Sequence, residues 1–126
     1  MPFYTVLTEE NFLTDQQRAA IAQQISDIHC EENHVPPAYV RIFFTTFPKG
    51  SGFTAGKLAA PAAITCLMRK GHDTETKGRT LKRLWAMFQE AAGVPTDQLV
   101  IALQEAPASN AMELGIIMPD PGGDEV

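Results

Sequence analysis

Residues 35–46, Val35-Pro-Pro-Ala-Tyr-Val-Arg-Ile-Phe-Phe-Thr-Thr46, are echoed by residues 94–105, Val94-Pro-Thr-Asp-Gln-Leu-Val-Ile-Ala-Leu-Gln-Glu105. Each copy opens on Val-Pro and runs into an apolar stretch. The offset of 59 positions also lays Pro48 on Pro107, Ile42 on Ile101 and Arg18 on Lys77. Similarity at one fixed offset means that a supersecondary unit occurs twice.

Working outward, the first copy is preceded by Phe3 to Thr8, aromatic and β-branched, which predicts a strand. Thr14-Asp-Gln-Gln17 has the spacing of a capping box, with Thr14 as N-cap. Ala22, Ile25, Ile28 and His29, with Ile21 beside them, form a stripe at helical spacing. The helix should fade near Cys30 to Asn33, because residues before proline avoid the helical region. Tyr39 to Thr46 predicts the next strand and Pro48 to Gly52 a turn. The second half repeats the order. Ala63 to Met68 is a strand, and a helix begins at Asp73 or Thr74 with the stripe Leu81, Leu84, Trp85, Phe88 and Ala92. Gly93 is its C-cap, and Leu99 to Gln104 is the last strand.

A strand–helix–strand unit is about the shortest that places two strands parallel. Right-handed crossovers put both helices on one face when two such units join edge to edge. The predicted class is α+β (α/β), with two β-α-β units related by a pseudo-twofold axis and a four-stranded sheet covered on one side. One domain is expected over residues 1–126, with repeats over about 2–60 and 61–115. The bare face should carry residues such as Phe43, Thr65 or Leu103, and a bare apolar face calls for oligomerisation.

Composition narrows the function. The 126 residues are 44% hydrophobic and 20% charged, as in an ordinary globular protein. No apolar run approaches ~20 residues, so no membrane span is expected, and a secretory leader pattern is lacking. A net charge of −5 without a basic run disfavours a nucleic-acid partner. Cys30 and Cys66 make neither a zinc spacing nor a disulfide framework, so reduced, mostly buried thiols in a cytoplasmic protein are expected.

Met-Pro at the start, two units of about 60 residues and Val40-Arg-Ile-Phe-Phe-Thr-Thr-Phe-Pro-Lys-Gly50 together resemble the tautomerase superfamily. The last segment is similar to the second strand and turn of 4-oxalocrotonate tautomerase, here in fused, double-length form. Ile25-Ser-Asp-Ile-His29, Arg69-Lys-Gly71 and Pro107-Ala-Ser-Asn-Ala-Met-Glu-Leu-Gly115 resemble the cis-3-chloroacrylic acid dehalogenase group. The resemblance implies a homotrimer acting on small carboxylates without metal or organic cofactor. Its reactive group is the amine of Pro2 once Met1 is removed.

An amino-terminal proline is a secondary amine fixed at the head of a strand. An α-amino group has a pKa near ~8, and burial or a nearby cation lowers it. The neutral amine is then a competent base for a proton beside a carbonyl. Without the family pattern, Pro2 would be only the residue after a start codon. The resemblance makes Arg69 the carboxylate-binding guanidinium, as against a solvated strand-end arginine. Arg41, on the same face as Tyr39 and Phe43, is either a substrate ligand or half of an intersubunit ion pair. His29 is either a satisfied residue near a helix end or, by resemblance, catalytic. Glu113 matches a water-activating glutamate, as against a solvated carboxylate near a chain end. Phe53 is an expected apolar wall near Pro2. Two departures stand out: His72 where the group has a second arginine, and Ala102 where it has a tyrosine. Both weaken hydration and dehalogenation chemistry and leave enol–keto tautomerisation favoured, with a non-catalytic trimer as a third reading. The tail Gly115 to Gly123 either closes over the site or pairs with a neighbour's sheet, and Gly122 to Val126 is expected to be loose.

Overall fold

The computed structural model describes residues 1–120. β1 (Phe3–Glu9) leads to α1 (Asp15–Asn33) and β2 (Arg41–Phe47). A small hairpin follows, β3 (Phe53–Thr54) and β4 (Lys57–Leu58). The second unit is β5 (Ala62–Arg69), α2 (Thr74–Ala92) and β6 (Leu99–Ala106), closed by the hairpin β7 (Met112–Glu113) and β8 (Ile116–Ile117).

The helix limits follow from their caps. At α1 the Thr14 hydroxyl accepts from the Gln17 amide at 3.1 Å, and the Gln17 side chain accepts from the Thr14 amide at 2.9 Å. At α2 Asp73 takes the same part toward Thr76 at 2.7 Å. Both helices end on a left-handed residue, His34 at φ 56° and Gly93 at φ 69°. Thr14 and Asp73, like His34 and Gly93, stand 59 apart. The hairpins keep the same offset, down to the left-handed pairs Ala55-Gly56 and Leu114-Gly115. They also keep the matching bonds Ala59 N to Gly52 O and Met118 N to Ala111 O, both 2.9 Å.

The sheet runs β2-β1-β5-β6. β1 is parallel to β2, β5 is parallel to β6, and β1 meets β5 antiparallel, so two parallel units are joined at their inner edges. Tyr4 and Val6 of β1 and Ile64, Cys66 and Met68 of β5 face the helices and are buried. They pack with Ile21, Ile25 and Ile28 of α1 and with Leu84 and Phe88 of α2. The other face is bare: Phe43 and Val100 are more than half exposed, and Phe3 meets Phe43 edge to face at 5.6 Å.

Two details differ from the expectation. Leu103 is not on the bare face: it is in register with buried Cys66 and packs on the core, while Ala102 and Gln104 point outward. Leu99 starts β6 buried, and strand alternation then fixes the side of every later residue. Tyr39 lies in a 3-10 turn, so Arg41 opens β2 rather than sitting mid-strand. The neighbouring prolines favour that turn over a longer strand. In the tail, Ile116–Ile117 pairs with β7, and the expected looseness of Gly122 to Val126 lies outside the described residues.

Phe88 is fully buried under the sheet. Phe88→Ala is expected to cost about 3–5 kcal/mol, read as a lowered urea midpoint at fixed protein concentration.

Candidate functional site

The register brings one end of the sheet together. Phe3 pairs with Arg41 on one side and Leu67 on the other, so the start of β1 lies beside the start of β2 and the end of β5. Pro2 is fully buried there, and its carbonyl accepts from the Arg41 amide at 3.2 Å. While Met1 is attached, the Pro2 nitrogen is an amide. The Met1 ammonium forms an ion pair with the Glu113 carboxylate.

Glu113 reaches this end because the turn at 108–110 and the β7–β8 hairpin fold back after β6. Its other oxygen accepts from the Arg41 guanidinium at 2.7 Å, and its side chain is 10% exposed. Arg41 is thus paired within the chain, and it also donates to the Tyr39 carbonyl at 3.3 Å. Two cations around one carboxylate hold it in place.

Arg69, at the end of β5, is 4% exposed, and its guanidinium donates to the Pro119 carbonyl. Met118 is buried beside it in sequence, so the tail up to Asp120 closes over this end. His72 follows in the loop to α2. Burial holds its pKa below the usual imidazole value, the Arg69 charge acts the same way, and Glu105 partly offsets both. Glu105 is itself held by Lys77 at 2.8 Å and the Gly71 amide at 3.2 Å.

His29, near the end of α1, is 1% exposed. The Tyr4 hydroxyl lies 2.7 Å from its Nδ1. Burial lowers its pKa to about 4, and His72 and the amino terminus add to the effect, so the ring is neutral at physiological pH. Tyr4 did not emerge as a site residue from the sequence, although the alternation of Phe3 to Thr8 sets it on the same side as the His29 stripe.

Phe53 is the candidate that this end does not include. It follows the far end of β2, and its neighbour Thr54 bonds Gln98 at 3.0 Å, just before β6 begins. A strand of that length puts it roughly 20 Å from Pro2. The wall near Pro2 therefore does not come from Phe53 of the same chain. Among the described residues, no group of three or more His, Cys, Asp or Glu could hold a metal, and no helix is long and apolar enough to cross a membrane.

The family model described as "Putative oxalocrotonate tautomerase enzyme" matches residues 1–126. No curated protein matches significantly. The native crystal structure of Ps01740 is 33% identical, covers 88% of this chain and 99% of its own, and superposes with a TM-score of 0.86. N1, a member of the cis-3-chloroacrylic acid dehalogenase family, is 24% identical over 95% of this chain and 85% of its own, with a TM-score of 0.90. The wild-type fused 4-OT called Q0, a symmetric trimer, is 18% identical over 97% and 99%, with a TM-score of 0.86. The last two share the fold.

The buried, neutral His29 links stability to pH. An unfolded imidazole takes up its proton near ~6.5, whereas the folded one does so only near 4. Stability from this group is therefore full above about 6.5 and falls as pH drops toward 4, by up to ~3 kcal/mol. Urea unfolding at pH 7 and 4.5 should show that loss, and His29→Gln should show a smaller difference between the two.

Proposed function

The chain belongs to the oxalocrotonate tautomerase-like family whose model spans it, and from that membership we propose that it interconverts the enol and keto forms of a small 2-oxo carboxylate of the phenylpyruvate type. The observation that carries this reading is the meeting of Pro2, Arg69, His29 and Glu113 at one end of the sheet. Removal of Met1 turns the Pro2 nitrogen into a secondary amine at a buried strand head. That amine takes the enol O–H proton and a proton is returned to C3, while the C=C pair becomes the new C–H bond and the oxygen becomes the ketone. Proton transfer by a placed base is typically worth 10²–10⁴-fold.

Arg69 binds the substrate carboxylate. The Pro119 carbonyl it now faces is a neutral acceptor, and a carboxylate is the stronger partner for a guanidinium. His72 adds a second contact when protonated. Arg41 serves mainly through Glu113, whose carboxylate it holds. The bare sheet face supports a homotrimer, as does the symmetric trimer of the fused 4-OT relative. In such an assembly Phe53 of a neighbouring subunit is the residue that walls the Pro2 site. A cytoplasmic enzyme working without metal or organic cofactor completes the reading.

A second reading, hydration of 3-haloacrylate-type acids, draws on the Glu113 carboxylate held beside the amino terminus. Chloride release from 3-chloroacrylate that disappears in Glu113→Gln would establish it. Ala102 lies on the bare face, so this chain supplies no phenol there to help water attack.

Intact mass of the purified protein, followed by an enol–keto assay on the same sample, tests the main reading. The expected result is a mass lacking Met1, turnover of phenylpyruvate enol, and at least ~100-fold loss in Pro2→Ala with the assembly unchanged. Retained Met1 without turnover supports a non-catalytic trimer, and full activity in Pro2→Ala contradicts the amine mechanism. A further outcome concerns pH. Because the His72 pKa is below the ordinary value, carboxylate affinity falls as pH rises through the range just below ~6.5. His72→Arg should lower KM several-fold at pH 8, where His72 is uncharged, and flatten the dependence of KM on pH.

A further inference from the structure

The core holds a file of three polar side chains leading to the site. Tyr4 and Cys66 are Cα partners across the β1–β5 junction, both facing the helices. Tyr4 is fully buried, and Cys66 and His29 are each 1% exposed. The Tyr4 hydroxyl lies 2.7 Å from His29 Nδ1, with the two rings edge to face at 5.5 Å.

Two proton arrangements fit these groups. In one, the Tyr4 O–H donates to Nδ1, which leaves the histidine proton on Nε2. In the other, Nδ1–H donates to Oη and the Tyr4 O–H must turn to the cross-strand Cys66 sulfur for an acceptor. An imidazole nitrogen is a good acceptor and a thiol sulfur a poor one. The first arrangement therefore gives the phenol its better partner, and in a dry core that difference counts for more than in water. Burial also pushes the Cys66 thiol up to about 12, so it stays protonated at neutral pH.

We propose that Tyr4 is a positioning residue whose hydroxyl holds His29 in the Nε2–H tautomer. His29 then meets the substrate as a neutral donor and not as a base. This deepens the reading of the amino-terminal site and rests on it. A neutral Nε2–H can stabilise negative charge developing on a substrate oxygen during proton transfer. It does so without adding a cation beside an amine that must itself carry the proton. The tautomer is set by the partner of the other ring nitrogen, and among the described residues that partner is Tyr4.

The ring-nitrogen ¹⁵N spectrum of histidine-labelled protein tests the assignment on the intact chain. The expected result for His29 is a protonated, pyrrole-type Nε2 and an unprotonated, pyridine-type Nδ1, unchanged between pH 8 and about 5.5. Tyr4→Phe keeps the ring and removes only the hydroxyl. It should give mixed tautomers and about tenfold lower kcat, with KM changed less than about twofold. A proton on Nδ1 in the unsubstituted protein overturns the proposal, as does a Tyr4→Phe variant with the same tautomer or the same kcat. If that variant fails to fold, the unsubstituted spectrum still decides. The spectrum needs no turnover, so an inactive protein with the Nε2–H tautomer would count against the tautomerase reading and leave this one standing.

Discussion

The antiparallel pairing of β1 with β5 is the constraint on which the rest depends. It joins two parallel units that would each leave an inner sheet edge unpaired. It also brings the first residues of the chain to the last residues of β5, setting Pro2 beside Arg69 without any long loop. Burying Tyr4, Val6, Ile64 and Cys66 under two helices fixes the register, because a one-residue slip would turn these side chains onto the bare face.

The same pairing makes the two ends of the sheet equivalent in shape but not in chemistry. At the offset of 59, Pro2 corresponds to Pro61, His29 to Phe88, Arg69 to Glu10 and Glu113 to Thr54. Pro61 lies mid-chain and has no amine to release, and Phe88 in place of His29 makes that half of the core apolar. One end therefore gathers the two arginines and the buried histidine, while the other serves the packing. The chain carries a net charge of −5, yet the amino-terminal end gathers Arg41 and Arg69, with Glu113 set against the first of them.

Most of the architecture was legible in the sequence because it is written in short-range chemistry. Thr14 with Gln17, Asp73 before α2 and Gly93 after it mark helix ends by local hydrogen bonding, and the doubled Val-Pro marks the repeat. Pro2, Arg69, His29 and Glu113 were legible as a set only through the family resemblance, since their meeting depends on strand register. The two hairpins escaped notice: each strand has only two residues, too few for alternation, and the left-handed Ala55 and Leu114 carry no turn signature of their own. Leu103 was misassigned because an apolar residue in a strand does not declare its side. Phe53 stands at the far end of β2 from Pro2 within one chain, a separation that strand length sets and a resemblance does not carry. Tyr4 was hidden among ordinary strand residues, and its role emerges only from the 2.7 Å approach to His29.

All of the proposed chemistry turns on whether the nitrogen of residue 2 is an amine. The most direct measurement is the ¹⁵N resonance of Pro2 in proline-labelled protein, followed from pH 5 to pH 10. The account predicts the shift of a free secondary amine that moves with pH as it gains or loses its proton. A tertiary-amide shift at Pro2 that stays still across the range would contradict it, because an amide nitrogen in a Met1–Pro2 bond cannot carry the proton.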